Sequence, residues 1–470
     1  MRDMRTTFCN LLRVVTVLGF ACSLVAGNQQ AQFPQGEIIE KVSCLSNPEQ
    51  SYALFLPPGY TPEKKWPILY AFDPVGRGSV PIKLFQDTAK EFGFILVGSN
   101  NSRNGIELKA IVETLWSDTH QRFAIDERRV YTTGFSGGAR VASAVALSYR
   151  GAVAGVIAAS GGPRQNFKPL PANQFTFFGT AGTEDFNFPE MQQLKRRMDE
   201  VGVTNRLAIF AGGHEWPPPE ICGEAISWME MQAMKSGTRA KDDGLIDRHL
   251  AAKSKTARDY EISKQPYEAY LEYEALVTEF KELRDVNEFA ADAERLRNSK
   301  EVRAAIKSEK TEEEDQARLS EKLGTLIARL QDTSTYGETM AELKYDFSDL
   351  TKKSEGSKSI AERRVARRVL QSLLVQIYEE AFALKQKKSY ASIPAKFELA
   401  ALIKPNDPRV FYELAAAYAR VGSKGRATTA LGQAIERGFS DLARIEQNED
   451  FASLRDDPDF KKVIASLKKT

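Results

Sequence analysis

The stretch Val130-Tyr-Thr-Thr-Gly-Phe-Ser-Gly-Gly-Ala-Arg140 decides the fold of the first half of the chain. It places a G-x-S-x-G motif, residues 134–138, between an apolar run and an alanine- and valine-rich segment that is typical of a helix. A serine on a sharp turn from strand to helix needs small neighbours, because larger side chains would collide with nearby backbone. Glycine and serine also occur in ordinary turns, but this context predicts that Ser136 is a nucleophile.

A serine hydroxyl needs a base to take its proton, and the chain contains 3 histidines from which to choose. His214 follows an apolar run, residues 206–210, in the loop Ala-Gly-Gly-His-Glu-Trp-Pro. In a parallel sheet that loop lies at the carboxyl edge, where Ser136 also emerges. His120 falls in the helix before the serine strand, and His249 lies in a charged region beyond the sheet. His214 is therefore the predicted base.

The third member of such a site is a carboxylate that fixes the histidine tautomer. The loop Thr180-Ala-Gly-Thr-Glu-Asp-Phe-Asn187 follows another apolar run and carries two acids. Asp185 is the predicted acid, because the shorter side chain at the later position suits a loop acid, and Glu184 is the alternative.

Short apolar runs alternate with amphipathic stretches from Gln35 to about Lys235. This rhythm predicts a mostly parallel sheet with helices on both faces. The three candidate residues follow three of these runs in the order serine, acid, histidine.

The segments GFSGG, GTEDFN and GGHEWPP resemble the elbow, acid loop and histidine loop of the α/β-hydrolase superfamily. They resemble in particular secreted esterases similar to polyhydroxybutyrate depolymerases and feruloyl esterases. The resemblance covers Gln35 to Lys235, under half of the chain. It implies hydrolysis of a small or polymeric acyl ester through an acyl-serine intermediate. A serine peptidase of the same fold, or an idle hydrolase fold acting as a scaffold, are the alternatives.

An oxyanion hole needs backbone N–H groups aimed at the developing charge. Gly137, after the nucleophile, is expected to supply one. Where such enzymes often carry His-Gly after the third strand, this chain has Asp73-Pro74-Val75-Gly76. Because Pro74 has no N–H, Val75 is the predicted second donor and Gly76 the alternative.

The connection from Ser160 to Phe175 is short, at the point where many lipases insert a lid. We therefore expect an open cleft without a large cap. Phe186, Phe188 and Trp216 lie beside the acid and the base in sequence, and are candidates to line an acyl pocket or simply to pack.

After about Ser236 the strand-like runs stop. The predicted organisation is a signal peptide at 1–27, an α/β-hydrolase domain at 28–236, a linker at 237–256, a charged helical region at 257–368 and a helical domain at 369–470. Apolar and small residues in the last domain match the spacing of a tetratricopeptide repeat. They are Phe411, Leu414, Ala415, Tyr418, Ala427, Leu431 and Ala434. The repeat-like segment Lys396 to Gly438 predicts a surface for a protein partner, and a plain helical hairpin is the alternative.

Arg2 and Arg5 precede an apolar stretch, Val14 to Ala26, of signal-peptide length. We expect export to the periplasm or secretion, with lipid attachment at Cys22 as a less favoured route. Cys44 and Cys222 then remain as a disulfide candidate in an oxidising compartment, with two free buried thiols as the alternative.

The composition bears on the possible partners of the protein. In 470 residues, 65 Lys and Arg against 63 Asp and Glu give a net charge of +2, which provides no field to gather nucleic acid. We expect no nucleic-acid partner and no membrane span after signal removal. Without a P-loop, a dinucleotide fingerprint or a clustered Cys/His motif, we expect no cofactor and no metal.

Overall fold

The computed structural model describes residues 33–163, 175–332 and 334–467, so the predicted signal peptide and Cys22 lie outside the described residues. The first half is built on one sheet of eight strands. The strands are β1 Ile38–Ser43, β2 Ser51–Phe55, β3 Trp66–Phe72, β4 Ile95–Ser99, β5 Ile125–Phe135, β6 Gly155–Ala159, β7 Thr176–Gly182 and β8 Asn205–Phe210.

The strand order across the sheet is β1-β2-β4-β3-β5-β6-β7-β8. β2 pairs antiparallel with β1 and β4, and the pairs from β4 through β3 to β8 are parallel. This is the α/β-hydrolase arrangement, so the predicted fold class is confirmed. The carboxyl ends of β5, β7 and β8 meet at one edge.

Alternate strand residues point to opposite faces of the sheet. Both faces are apolar, and helices cover both of them. The helices are α1 Ser79–Phe92, α2 Lys109–Arg122, α3 Gly137–Ser148, α4 Phe188–Glu200 and α5 Pro219–Lys235. On β3, Ile68 and Tyr70 pack in the layer under α2, α3 and α4. Leu69 packs in the opposite layer, under α1 and α5.

The predicted disulfide between Cys44 and Cys222 is wrong, because both thiols are free and buried. Cys44 belongs to the layer of α2 to α4 and Cys222 to that of α5. A disulfide needs Cα atoms within about 7 Å, and two residues separated by the sheet do not meet that condition. Burial raises the pKa of the Cys44 thiol to about 11 and also raises the pKa of Cys222.

The second half is all helical in the described residues from 243 onward, as predicted. Its helices are α6 Asp243–Ile262, α7 Pro266–Phe280, α8 Asn287–Arg297, α9 Lys300–Arg329, α10 Tyr336–Gly356, α11 Ile360–Gln386, α12 Ile393–Ile403, α13 Pro408–Arg420, α14 Lys424–Glu436, α15 Leu442–Gln447 and α16 Pro458–Leu467, with a 3₁₀ helix at Glu449–Leu454. None of the helices in the described ranges is long and apolar enough to cross a membrane.

The segment 237–256, predicted as a linker, is mostly helix. α6 begins after Asp242, whose carboxylate accepts a hydrogen bond from the Leu245 N–H. Leu245 and Ile246 are buried with Met231 of α5. The apolar contacts of α6 with α5 therefore outweigh the polar composition that suggested a linker.

The repeat-like region contains the antiparallel pair α13 and α14, joined by a turn at Gly422 with a φ of 77°. The preceding helix was predicted near Leu373 to Leu384, and those residues lie inside the 27-residue α11. The assignment of a tetratricopeptide repeat stays a prediction.

Candidate active site

Ser136 occupies the sharp turn between β5 and α3. Its φ of 53° and ψ of −117° lie in a region that non-glycine residues rarely adopt. A Cβ on Gly134 would collide with the backbone of Gly138, and one on Gly138 would collide with the backbone of Phe72. The glycines of the motif therefore permit the strained turn that presents Ser136 at the sheet edge.

The structure brings Ser136, His214 and Asp185 together. His214 Nε2 lies 2.8 Å from Ser136 Oγ, and His214 Nδ1 lies 2.9 Å from Asp185 Oδ1. With its proton on Nδ1, the imidazole donates to Asp185 and accepts from the Ser136 hydroxyl. The Asp185 side chain is fully buried and that of His214 is 8% exposed. This is the hydrogen-bonded chain that activates a serine nucleophile.

Glu184, the alternative acid, faces away from His214. Its carboxylate pairs with Arg367 of α11, and its side chain is 36% exposed. Asp185 is further fixed by the N–H of Asn187, which donates to Asp185 Oδ1 at 2.8 Å. The loop therefore separates the two acids into a buried one at the histidine and a partly exposed one at α11.

Aromatic rings hold the imidazole in place. The ring centroids of Phe186 and Phe135 lie 4.2 and 4.8 Å from that of His214. Trp216 Nε1 donates to Asp73 Oδ2 at 3.1 Å. Phe188 is buried in the core under Arg368. Of the three aromatic residues predicted near the pocket, Phe186 packs against the His214 ring, Trp216 bonds to Asp73 and Phe188 lies in the core.

The predicted second oxyanion donor, Val75, is engaged elsewhere. Its N–H donates to Asp73 Oδ1 at 3.0 Å, and the N–H of the alternative, Gly76, donates to Asp73 O at 3.1 Å. The side chain of Arg77 adds two further bonds to the same carboxylate. Burial alone would raise the pKa of Asp73, but its bonds from Arg77, Val75 and Trp216 outweigh burial and lower that pKa. The backbone N–H groups of Val75 and Gly76 therefore point toward Asp73.

Gly137 is the first residue of α3, so its N–H has no acceptor within the helix. Gly137 therefore stays the predicted first oxyanion donor.

Asn104 is a residue of the site that the sequence analysis missed. Its side-chain oxygen Oδ1 is the atom nearest to the position that a Cβ of Gly137 would take, and Cγ and Nδ2 lie 2.6 and 2.8 Å from that position. The available signal was its place in the polar loop Asn100-Asn-Ser-Arg-Asn104, which follows β4 at the carboxyl edge of the sheet.

Helix α11 lies across this edge, so the expectation of an open cleft without a cap is wrong. Arg368 Nε donates to Thr183 O at 3.0 Å, and Asn104 Nδ2 lies 3.5 Å from Glu379 Oε1. The Phe382 ring lies against Gly105. The cover comes from the C-terminal half of the chain.

Within the ranges that the structure describes, no group of three or more His, Cys, Asp or Glu side chains is arranged to hold a metal ion. A cavity of about 790 Å³ lies away from the three triad residues, between α4, β8, α7 and α9. Its lining residues include Gln192, Arg206, Tyr267 and Glu309.

No protein-family model and no curated protein matches the chain. Solved structures similar to its first half include FphF, a fluorophosphonate-binding serine hydrolase of Staphylococcus aureus. The identity is 13%, the match covers 42% of this chain and 99% of that chain, and the TM-score is 0.35. A ferulic acid esterase matches at 18% identity over 40% of this chain and 94% of that chain, with a TM-score of 0.33.

A Pyrobaculum calidifontis esterase matches at 13% identity, over 43% of this chain and 88% of that chain, with a TM-score of 0.34. These structures are thus esterases and serine hydrolases, and they resemble the first half of this chain at low identity.

Proposed function

We propose that the protein is a serine hydrolase that cleaves carboxylic esters through an acyl-serine intermediate. One observation carries the proposal: a continuous hydrogen-bonded chain runs from Ser136 Oγ through His214 to the buried carboxylate of Asp185. The strained backbone of Ser136 adds support, because such strain persists only where the surrounding structure holds it.

In this mechanism Ser136 Oγ attacks the ester carbonyl carbon while His214 Nε2 takes the hydroxyl proton. The tetrahedral oxyanion collapses, the C–O bond to the leaving group breaks, and His214 returns the proton to the departing alkoxide. Water then attacks the acyl-serine, with His214 again taking a proton. The carboxylic acid leaves and Ser136 regains its hydrogen, so one water molecule is consumed for each ester cleaved.

Two other functions compete with this one. A serine peptidase would use the same three residues, and an idle scaffold would need none of them in contact. The distances of 2.8 and 2.9 Å within the triad favour a working site over an idle one. A panel of acyl esters and short peptides separates esterase from peptidase.

The test uses a fluorophosphonate probe and short p-nitrophenyl esters. We expect the wild type to be labelled and to turn over esters, and Ser136→Ala to lose both with its fold intact. Ser148→Ala, at the exposed end of the same helix, is the matched control and should behave as the wild type. Labelling of Ser136→Ala would show that another residue is the nucleophile.

We further propose that the protein is exported, on the strength of Arg2, Arg5 and the apolar run Val14 to Ala26. N-terminal sequencing of the mature protein should begin near Asn28. A mature protein that keeps Met1 in the cytoplasm would contradict export.

We also propose that the segment Lys396 to Gly438 binds a protein partner. The pair α13 and α14 supports this, because stacked helix pairs form surfaces suited to gripping a peptide segment. A photo-crosslinker at the exposed Arg426 should capture a discrete partner in cells, and one at the exposed Lys310 should not. Equal capture at both positions would contradict a specific surface.

A further inference from the structure

The acid loop, residues 183–186, is bonded to both halves of the chain. On the sheet side, the N–H of Thr183 donates to Phe210 O at 2.9 Å, which attaches the loop to β8. The carbonyl groups at the two ends of the loop, those of Thr183 and Phe186, accept hydrogen bonds from α11 and α9. The loop that contains Asp185 is therefore held in part by the helical half.

Gln316 of α9 bonds to the acid loop directly after Asp185. Its Nε2 donates to Phe186 O at 2.8 Å, and Gln316 is buried. Because a carbonyl oxygen can only accept, the amide nitrogen is the atom that faces it. The centroid of the Phe186 ring lies 4.2 Å from that of the His214 ring. One buried amide therefore holds a residue that adjoins Asp185 and packs on His214.

Arg368 of α11 bonds to the acid loop before Asp185. Its Nε donates to Thr183 O at 3.0 Å. Arg368 also pairs with Glu312 of α9 at 3.3 Å. Glu312 lies one helical turn before Gln316, so the two side chains share one face of α9. The two anchors of the loop therefore belong to one contact between α9 and α11, and they bind on either side of Asp185.

The Asp185 carboxylate depends on this loop for its position. Oδ1 accepts both from His214 Nδ1 at 2.9 Å and from the Asn187 N–H at 2.8 Å. Within the part of the chain that the structure describes, no hydrogen bond reaches the buried Oδ2. Because its bonds are all at one oxygen, the carboxylate is placed by the backbone of its loop. A shift of that backbone would move Oδ1 away from the imidazole.

We propose that Gln316 is a positioning residue for the pair Asp185 and His214, acting through the backbone of Phe186. The inference rests on the proposed hydrolase function and deepens it. The amide of Gln316 holds Phe186, and Phe186 keeps the carboxylate and the imidazole in hydrogen-bond contact. The helical half then contributes to the rate of the reaction as well as to the stability of the fold.

The test compares Gln316→Met with Leu323→Ala on a p-nitrophenyl ester. Methionine is similar in length to glutamine but cannot donate to Phe186 O. A misplacement of about 1 Å at a reacting group can cost about 10²-fold in rate. Because Arg368 still holds the other end of the loop, we expect kcat to fall about 10- to 100-fold, with KM changed less than about threefold.

Leu323→Ala is the control for a loss of packing. Leu323 is buried on the same helix, in the core of the helical half. Its truncation leaves a cavity, so this variant should unfold at a lower urea concentration than the wild type. It leaves the bond from Gln316 to Phe186 in place, so its kcat should equal that of the wild type.

A double substitution separates positioning from a general structural defect. In Asp185→Asn the imidazole has lost its acid, so the exact placement of residue 185 no longer governs the rate. Adding Gln316→Met to Asp185→Asn should therefore lower kcat by less than about twofold further. A general defect would instead lower kcat by the same factor in both backgrounds.

Gln316→Asn keeps an amide but shortens its reach by one methylene, so it decides the question if Gln316→Met does not fold. A fall in kcat of less than about threefold, a loss confined to KM, an equal fall in Leu323→Ala, or the same fall in both backgrounds would overturn the assignment. These comparisons require an active wild type. A wild type that neither reacts with a fluorophosphonate nor cleaves esters would refute the hydrolase function, and this assignment with it.

Discussion

Asp185 and Glu184 are adjacent acids with different roles, and substitution separates them. Asp185→Asn should lower kcat roughly 10⁴-fold, because an amide at this position no longer holds the imidazole in its working tautomer. Glu184→Gln is the matched control, since Glu184 pairs with Arg367 and does not contact His214. Steady-state kinetics on one small ester measures both, and equal losses would contradict the assignment of the acid.

Substitution of the histidines distinguishes the base from the others. His214→Ala should lose about three or more orders of magnitude in kcat, because Ser136 then has no base. His120 makes its contacts far from the serine, with Nδ1 lying 2.8 Å from Trp116 O, so His120→Ala should keep its activity. A loss in His120→Ala together with an active His214→Ala would contradict the placement of the base.

The sequence predicts the position of a site residue where a motif or the end of a strand determines it. Ser136, Asp185 and His214 each follow an apolar run, so their common edge could be inferred before the structure was known. Val75 and the cysteine pair failed for a different reason. The capture of the Val75 N–H by Asp73, and the placement of Cys44 and Cys222 in opposite layers, depend on packing that no local pattern encodes.

Helix α11 contacts the acid loop of the first half through two neighbouring arginines of different burial, Arg368 at Thr183 and Arg367 at Glu184. Arg368 pairs with Glu312 at 3.3 Å, and their side chains are 1% and 4% exposed. Arg367 pairs with Glu184 while both side chains are over a third exposed. Breaking a buried ion pair leaves an uncompensated charge, whereas an exposed pair contributes little.

We therefore expect Arg368→Met to lower the free energy of unfolding by about 3 kcal/mol. That is the lower end of the usual range, because Arg364 remains 3.4 Å from Glu312. Arg367→Met, the control on the same helix, should cost about 1 kcal/mol or less. Urea denaturation measures both, and equal costs would contradict the role assigned to burial.

A second set of buried charges links β8 and α5 to α6 and α7. Arg206 pairs with Glu224 and Glu279, and Lys253 lies 2.6 Å from Glu224. Burial alone would raise the pKa of Glu224, but Arg206 and Lys253 outweigh it and lower that pKa to about 2. For the neighbouring Glu272, burial outweighs the attraction of Arg206 and raises the pKa.

A lowered pKa in the folded state gives stability that is present above the unfolded value and is lost as the pH falls. For Glu224 the unfolded value is 4.5, so its contribution should disappear between pH of about 4.5 and about 2. Glu224→Gln should be less stable than the wild type at pH 7 and should lose this acid dependence. Glu272→Gln should not be less stable at pH 7. Urea denaturation across this pH range decides, and identical behaviour of the two variants would contradict the assignment.

The strands of the sheet could be predicted from the sequence, whereas α6 and the full length of α11 could not. Strands flanked by glycine and proline could be predicted, because apolar runs of four to eight residues bounded by turn residues are typical of buried strands. The sequence predicts a linker where α6 lies, because the apolar residues of this segment are sparse. Their role becomes clear only from the residues of α5 that they contact. Likewise, α11 was expected only as a shorter repeat helix, since nothing local indicates that it continues across the sheet edge.

The helical half of the chain supports the sheet half, so a chain ending near Gly237 should not keep full activity on small esters. Truncation there would expose Met231 and Met234, which are buried with α6 to α8, and would remove the Glu279 partner of Arg206. It would also remove Arg368 from Thr183, two residues before Asp185.

We expect the truncated protein to be poorly soluble, and its soluble fraction to react with a fluorophosphonate at least about tenfold more slowly than the full chain. The control is the full chain with a protease site inserted near Ala240 and then cleaved, which keeps both halves present. The cleaved control should stay active. A soluble truncated protein with full activity would show that the helical half is dispensable.

The contact between Arg368 and Thr183 has a consequence for how the protein is made. The two residues are 185 positions apart in the chain, and synthesis proceeds at about 5–20 residues per second. For roughly 10–40 seconds a nascent chain therefore holds its acid loop without the arginine that anchors it. During this interval the sheet of the nascent chain is complete, but α11 does not yet cover its carboxyl edge. The chain must then be bound by chaperones or finish folding quickly to avoid aggregation.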